Sequence, residues 1–151
     1  MKVYLVAGEP SGDKLGAELM AGLKSCAPYE LEFCGVGGPL MEEQGLTSLF
    51  PITEIAVMGI GEILAKYSFL KKRIKNTVDN ILRLKPDVLI TIDAPEFSLR
   101  VAKMVRKKLF INTIHYVAPT VWAWRPNRAK KISGYVAVSY THLRAHETNV
   151  D

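Results

Sequence analysis

The chain has 151 residues, a length that fits a single domain. Hydrophobic residues make up 48% of the sequence and charged residues 23%, a globular composition that excludes a disordered tail and a low-complexity linker. The 20 Lys and Arg residues outnumber the 15 Asp and Glu residues, and the net charge of +5 favours an anionic partner. Charge alone leaves nucleic acid, a phosphorylated ligand and anionic lipid open.

Short apolar runs alternate with helical patterns along the chain. The first run, Val3–Ala7, is too short for a signal peptide, and no run reaches the ~18–20 apolar residues of a membrane-spanning helix, so we expect a cytoplasmic chain. In chain order, the predicted elements are a strand at Val3–Ala7, a helix over residues 13–23, a strand at Leu31–Gly35, a short helix through Met41 and Glu43, a brief strand at Leu49–Phe50, a long helix from Ile60 to Leu82, a strand at Val88–Ile92, a helix over residues 99–105 and a strand within Phe110–Tyr116.

This alternation predicts an α/β fold with a doubly wound parallel sheet. The strand runs are continuously apolar, as expected when helices cover both faces of the sheet. Ligands of such sheets bind at the loops after the carboxyl ends of the strands. We therefore expect the functional site among the loops at residues 8–13, 35–39, 93–97 and 117–125.

The loop Gly8-Glu9-Pro10-Ser11-Gly12-Asp13 joins the first strand to the first helix. Its glycines would let backbone N–H groups approach a ligand, and a helix amino terminus favours an anion. The loop matches neither the GxGxxG nor the GxxxxGK[ST] pattern, which argues against a standard dinucleotide site or P-loop. We favour a ligand-binding role over a tight turn before a helix whose candidate N-cap is Asp13.

Asp93 directly follows an apolar strand and begins the run Asp93-Ala94-Pro95-Glu96. A carboxylate held there is well placed to act as a general base. Capping the following helix is an equally good interpretation of the same position. The sequence has no Asp-x-Asp pair, so a metal-clamped diphosphate is not supported, and we predict neither a metal nor a cofactor.

Both tryptophans, Trp122 and Trp124, lie beside Arg125 in one loop. They could stack on a sugar or a base, or fill a gap between helix and sheet. His115 lies in a strand pattern, and we interpret it as a core residue rather than a catalyst.

The long helix carries a basic cluster with an aromatic residue off its apolar stripe. Phe69 lies on the face of Lys66 and Arg73, and a cationic face with an exposed aromatic suits an anionic membrane surface. A solvated helix surface is the alternative. The cluster consists of Lys66, Lys71, Lys72, Arg73 and Lys75.

Six stretches of the chain form an ordered set of motifs: Ala7–Asp13, Gly35–Pro39, Ala56–Ile60, Lys85–Val88, Ile92–Pro95 and Thr113–Val117 running on to Val121–Arg125. Together, and in this order, they resemble lipid-A-disaccharide synthases, a family of bacterial glycosyltransferases. Glu96 and Ser98 depart from the family pattern after Asp-Ala-Pro, so the resemblance assigns them no role.

The resemblance implies a GT-B glycosyltransferase, in which two Rossmann-like halves enclose the active site. The family joins UDP-2,3-diacylglucosamine to 2,3-diacylglucosamine 1-phosphate with inversion and releases UDP. By this resemblance Asp93 is the general base that takes the proton of the acceptor 6-hydroxyl. The substrate-binding residues implied are Gly8, Glu9, Ser11, Gly12, Asp13, Gly37, Trp122, Trp124 and Arg125.

The resemblance also implies peripheral attachment to the cytoplasmic face of the inner membrane, with no nucleic acid partner. The resemblance therefore favours membrane contact by the long helix over a solvent-exposed helix surface. The implied membrane-contacting residues are Ile63, Leu64, Tyr67, Phe69, Leu70, Lys71, Lys72 and Arg73.

The resemblance covers residues 1–136, predicted to form the acceptor-side Rossmann-like domain. Residues 137–151 look like translated adaptor sequence, and we expect them not to pack on the sheet. For that reason His142, His146 and Glu147 are not interpreted as metal ligands. The carboxyl-terminal half that supplies most of a UDP site is absent, so the chain alone is expected to be inactive.

Two other functions stay open. A non-catalytic membrane-surface lipid-binding module would share the basic helix. Another UDP-sugar-dependent GT-B enzyme would share the fold, although the Asp-Ala-Pro and Trp-Ala-Trp-Arg runs argue against it.

Overall fold

Among the described residues, six parallel strands form one sheet. The structure, a computed structural model, describes residues 1–56, 63–116 and 138–140, with side chains over 1–56 and 66–116. The strands are β1 (Lys2–Ala7), β2 (Glu32–Val36), β3 (Thr47–Ser48), β4 (Val88–Ile92), β5 (Asn112–Tyr116) and β6 (Val138–Tyr140), and the helices are α1 (Pro10–Cys26), α2 (Pro39–Glu43), α3 (Thr53–Ala56), α4 (Ile63–Leu84) and α5 (Pro95–Arg106).

The strand order is β3-β2-β1-β4-β5-β6, and every neighbouring pair is parallel. The chain therefore builds the sheet outward in one direction from β1 and then in the other from β4. Ala7, the last residue of β1, pairs with Ile92, the last residue of β4. The ends of β1 and β4 thus form the switch point at which sheets of this order bind ligands. The predicted doubly wound α/β fold is confirmed.

Helices cover both faces of the sheet. Side chains alternate along β1, so Tyr4 and Val6 belong to the core cluster that includes Phe97 of α5. Leu5 belongs to the cluster on the other face, together with Met20 of α1. On α4 the predicted apolar period is confirmed, because the residues at helical spacing that face the sheet are buried: Ile74, Val78 and Ile81.

Two local predictions are wrong. The third strand lies at Thr47–Ser48, two residues before the predicted position, and the backbone N–H of Leu49 donates a 2.8 Å hydrogen bond to the carbonyl oxygen of Gly35 as the strand ends. Asp13 does not cap α1, since that helix begins at Pro10 with Glu9 as its N-cap. Proline fits the first helical position because its missing N–H would have no partner there.

Residues 138–140 belong to the sheet. Val138 pairs with Ile114, and Tyr140 pairs with Tyr116. The expectation that residues 137–151 do not pack on the sheet is therefore wrong for these three residues. The physical reason is that β5 would otherwise end the sheet with open N–H and C=O groups, which a short β-prone segment can satisfy. His142, His146 and Glu147 lie outside the described residues.

Across the described ranges, none of the helices combines the length and apolar character that crossing a bilayer requires.

Candidate active site

Asp93 lies at the carboxyl end of β4, in a turn with unusual backbone geometry. Asp93 and Ala94 both have positive φ angles, 49° and 36°. Non-glycine residues in the left-handed region cost roughly 1–3 kcal/mol each and are characteristic of functional sites. Pro95 then starts α5, and its N-cap Ala94 offers no side-chain hydrogen bond. Asp93 therefore does not cap the helix that follows it, which was the competing interpretation.

The turn directs the Asp93 carboxylate toward the loop after β1. Its Oδ1 accepts a 2.8 Å hydrogen bond from the backbone N–H of Gly8. Its Oδ2 is shielded from water and has no hydrogen-bond partner among the described residues. Oδ1 is thus held by Gly8, and Oδ2 packs against Gly12 without a hydrogen bond.

The glycines of residues 8–13 are explained by this close approach. A Cβ at Gly12 would overlap the Asp93 carboxylate, and a Cβ at Gly8 would overlap Ala94. Both glycines are buried, whereas Glu9 and Ser11 between them are exposed. The side chains of Glu9 and Ser11 are therefore accessible from solvent, while Gly8 and Gly12 let β1, α1 and the Asp93 turn pack together.

Burial raises the pKa of Asp93 to about 7, because the charged carboxylate loses water. The hydrogen bond from Gly8 lowers this pKa and the neighbouring charge of Glu9 raises it. The backbone N–H groups of Gly12 and Glu9 lower it more weakly, although neither makes a hydrogen bond of ordinary geometry to the carboxylate. A carboxylate with a pKa near neutrality is suited to general base catalysis at physiological pH.

Asp13 connects the two glycine loops at this edge of the sheet. The side chain is only 5% exposed. Its Oδ1 accepts hydrogen bonds of 3.0 Å from the backbone N–H groups of Gly38 and Met41, and its Oδ2 accepts one of 3.1 Å from Leu40. These donors lie at the start of α2, so Asp13 caps α2 from within α1. Its bonds are to backbone, which makes it a positioning residue for the loop at residues 37–38.

Gly37 lies in that second loop. Its backbone N–H donates a 3.1 Å hydrogen bond to Oγ of Ser48, whose own hydroxyl donates to the carbonyl oxygen of Phe50. The loops after β1, β2 and β4 therefore meet at one edge, as the sheet topology predicts. Trp122, Trp124 and Arg125 lie outside the described residues.

His115 is a core residue, as predicted. It is completely buried in β5, and its Nδ1 lies 2.7 Å from the hydroxyl oxygen of Thr91 in β4.

A cavity of about 380 Å³ opens beside the Asp93 turn. Asp93 is not part of the lining, but its hydrogen-bond partner Gly8 and its neighbour Ala94 are. Sequence reasoning missed this cavity, because four segments distant in sequence form it. The lining residues are Gly8, Glu9, Ile55, Ala56, Leu70, Ala94, Pro95, Glu96 and Phe97.

The basic aromatic surface of α4 is only partly as predicted. Tyr67 is 48% exposed and Phe69 is 38% exposed. Lys71, Lys72 and Lys75 are exposed, whereas Lys66 is half-buried. The side chains of Ile63 and Leu64 lie outside the described residues.

Two of the predicted membrane contacts have partners inside the protein. Arg73 forms an ion pair with Glu54 of α3, and its guanidinium lies 4.8 Å from the ring centre of Phe50 and 5.1 Å from that of Phe69. Leu70 is half-buried and packs against the core. Helical periodicity placed these residues on α4 but could not show that α3 lies against them.

The chain matches the family described as lipid-A-disaccharide synthetase over residues 3–141, five residues beyond the predicted domain boundary at 136. Lipid-A-disaccharide synthase of Ruegeria pomeroyi is 56% identical over 133 residues, that of Rhodospirillum centenum 48% over 135, and that of Pseudomonas fluorescens (strain Pf0-1) 50% over 132. These alignments cover 88%, 89% and 87% of this chain but 33%, 34% and 35% of the relatives. The chain thus spans about a third of the length of the curated relatives it matches.

Solved structures agree on the fold. A UDP-GlcNAc 2-epimerase from Neisseria meningitidis matches with a TM-score of 0.58 at 15% identity, covering 93% of this chain and 40% of that one. A putative UDP-N-acetylglucosamine 2-epimerase from Listeria monocytogenes matches at 0.60 and 13% identity, covering 93% and 38%. The lipopolysaccharide outer core galactosyltransferase WaaB matches at 0.52 and 13%, covering 92% and 38%. These likenesses confirm the Rossmann-like α/β fold. With the family match extending over most of the chain, the chain belongs to the lipid-A-disaccharide synthetase family.

Proposed function

We propose that this chain forms the acceptor-side part of an inverting, UDP-sugar-dependent hexosyltransferase. The reaction joins UDP-2,3-diacylglucosamine to 2,3-diacylglucosamine 1-phosphate and yields lipid A disaccharide 1-phosphate and UDP. Family membership supports the reaction, and the position of Asp93 at the switch point carries the assignment. Because the chain spans about a third of its relatives, we assign the activity to a protein of their length and expect the 151 residues alone to be inactive.

The proposed step is a single displacement. The Asp93 carboxylate accepts the proton of the acceptor 6-hydroxyl while the hydroxyl oxygen attacks the anomeric carbon of the donor. The bond from the anomeric carbon to UDP breaks, UDP leaves with the electron pair, and the configuration inverts. The hydrogen bond from Gly8 keeps Oδ1 in place during this transfer. A pKa of about 7 means that the Asp93 carboxylate can both accept and release a proton near neutral pH.

We also propose that α4 contacts an anionic membrane surface. Support comes from the exposed rings of Tyr67 and Phe69 beside the exposed Lys71, Lys72 and Lys75. Aromatic rings enter the interface, and each cation near an anionic surface contributes about 1 kcal/mol. Arg73 and Leu70 are left out of this surface, since both are engaged within the protein. The protein would then act from the cytoplasmic face of the membrane.

A chimera tests the proposed activity. Residues 1–136 of this chain are joined to the carboxyl-terminal two thirds of the 56% identical Ruegeria pomeroyi enzyme. Formation of radiolabelled disaccharide from both lipid substrates is compared for the chimera, for the chimera with Asp93→Asn and for the 151-residue chain. We expect product only from the first.

The alternatives give different results in the same assay. A folded chimera that binds lipid vesicles but forms no disaccharide would contradict the proposal and support a lipid-binding module. Turnover with UDP-N-acetylglucosamine but not with the diacylated donor would support another UDP-sugar enzyme. The unmodified Ruegeria pomeroyi enzyme serves as the positive control.

A further inference from the structure

The cavity beside the Asp93 turn has a buried apolar floor and a charged mouth. Phe97 is 1% exposed and Ile55 is 7% exposed, and Leu70 is half-buried against the same core. Glu9 and Glu96 are exposed, charged lining residues, and the Glu96 carboxylate is paired with Arg100 at 3.1 Å. Such a cavity favours an uncharged apolar group, because its floor gains by losing water and the Glu9 carboxylate disfavours entry of a phosphate.

Its location connects the cavity to the reacting group. The backbone N–H of Gly8 donates a hydrogen bond to the Asp93 carboxylate, and Ala94 is the next residue after Asp93. Gly8 and Ala94 both line the cavity. The cavity therefore offers an apolar space next to the Asp93 turn for a ligand whose hydroxyl lies at that carboxylate. Leu70, another lining residue, belongs to α4, the helix that carries the exposed Tyr67 and Phe69.

Arg73 holds the wall formed by α3 in place. Its ion pair with Glu54 joins α3 to α4, next to the lining residue Ile55. Its guanidinium also lies over Phe50, whose ring meets Phe97 edge-on with centres 6.2 Å apart. The wall is therefore braced by contacts independent of any ligand, as expected of a largely pre-formed binding cavity.

We propose that this cavity binds one acyl chain of the acceptor lipid while its 6-hydroxyl lies at Asp93. The inference rests on the proposed function, in which the acceptor is a diacylated glucosamine phosphate. It accounts for an apolar floor next to a general base, which a sugar or a phosphate does not require. It also links the site to α4, because Leu70 of that helix lines the cavity.

The test compares acceptors whose acyl chains differ in length. In the chimera, Ala56→Phe fills the cavity and Leu70→Asn makes its lining polar. Leu49→Asn is the matched control, because Leu49 is an apolar residue that lines other cavities of about 370 and 390 Å³. Acceptors carrying tetradecanoyl and butanoyl chains are compared at saturating donor. We expect both cavity variants to lower kcat/KM for the tetradecanoyl acceptor about tenfold or more, with the butanoyl acceptor and the control little changed.

A binding measurement separates this inference from the proposed activity. Equilibrium dialysis of the 151-residue chain against radiolabelled N-tetradecanoylglucosamine, below its micelle concentration, should show binding that both cavity variants lose. If the parent chain binds the lipid, both cavity variants lose this binding and the chimera makes no disaccharide, the cavity assignment would stand and the proposed reaction would be overturned. Disaccharide formation with equal effects of the variants on long and short acceptors, or unchanged lipid binding, would overturn the cavity assignment alone.

Discussion

A hydrogen bond of 2.8 Å joins the backbone N–H of Gly8 to Oδ1 of Asp93, across the neighbouring strands β1 and β4. The two residues are 85 positions apart in sequence and follow the paired strand ends Ala7 and Ile92. This contact fixes the carboxylate at the switch point of the sheet and leaves Oδ2 without a partner among the described residues. Several measurable consequences depend on it.

Replacing Asp93 with Asn should abolish most of the activity of the chimera. The amide keeps an oxygen for the Gly8 N–H, so the fold should remain, but it cannot accept the hydroxyl proton. We expect kcat to fall by roughly 10²–10⁴, the usual contribution of a positioned base. Initial rates and circular dichroism spectra test this together. Turnover close to that of the parent would refute the assignment of Asp93 as the base.

The pH dependence of stability should report the same carboxyl group. Its pKa is about 7 in the folded chain against an ordinary value of 3.8, so the folded state binds the proton more tightly than the unfolded state. The resulting contribution to stability is complete below about pH 4 and is lost as the pH rises to about 7. In urea titrations, the free energy of unfolding should therefore decrease more between pH 5 and pH 8 for the parent than for Asp93→Asn. Equal falls in the two proteins would mean that Asp93 ionises normally.

Gly12→Ala should disturb the site, whereas Gly22→Ala should not. Both glycines lie in α1, but a Cβ at position 12 overlaps the Asp93 carboxylate and one at position 22 meets nothing within 4 Å. We expect Gly12→Ala to lower the free energy of unfolding by about 1–3 kcal/mol through overpacking. Gly22→Ala should leave it unchanged or raise it by up to about 1 kcal/mol. Similar effects of the two substitutions in urea titrations would contradict the packing described.

Asp13→Ala should destabilise the chain without touching Asp93. It removes the acceptor of three backbone N–H groups at the start of α2. Leaving these partly buried donors unsatisfied should cost roughly 2–4 kcal/mol of unfolding free energy. Glu18→Ala, at an exposed position of the same helix, is the control and should stay within about 0.5 kcal/mol of the parent. A small effect at position 13 would show that α2 does not need this cap.

Membrane contact should depend on α4 and on salt. The variant Phe69→Ser, Lys71→Glu, Lys72→Glu should lose most sedimentation with anionic vesicles and keep its circular dichroism spectrum. Binding by the parent should weaken along a salt series because exposed charges are screened. The control Met104→Ser, Lys107→Glu, Lys108→Glu makes the same charge change in the last turn of α5 and the two residues after it, and Met104 is 38% exposed like Phe69. Equal losses of binding in both variants, or binding that does not depend on anionic lipid, would contradict membrane contact by α4 and support a solvent-exposed surface.

Local patterns predicted the architecture well. The apolar runs at Val3–Ala7 and Val88–Ile92 are strands, and the apolar period of the long helix faces the sheet. Because parallel strands end at one edge, the pattern also placed Gly8, Gly37 and Asp93 in loops that meet. These predictions succeeded since each depends on the chemistry of a short segment and on a topological rule.

Local sequence patterns could not predict contacts between segments that are distant in sequence. Asp is a common N-cap residue, and the sequence predicted that Asp13 caps α1. Its side chain instead accepts hydrogen bonds from the first turn of α2, about 25 residues away. Arg73 belongs to the basic cluster of α4, but its ion pair with Glu54 of α3 could not be predicted from helical spacing. Val138–Tyr140 joins the sheet because the edge of β5 is open to it.

The sequence by itself determined the family, the order of the elements and the edge at which Asp93 would lie, because motifs and periodicity are properties of neighbouring residues. Only the tertiary structure decided which atoms the carboxylate meets, how far burial raises its pKa and where an apolar cavity opens beside it. Those quantities depend on distances between segments that the chain brings together only on folding, and on the water that this packing removes.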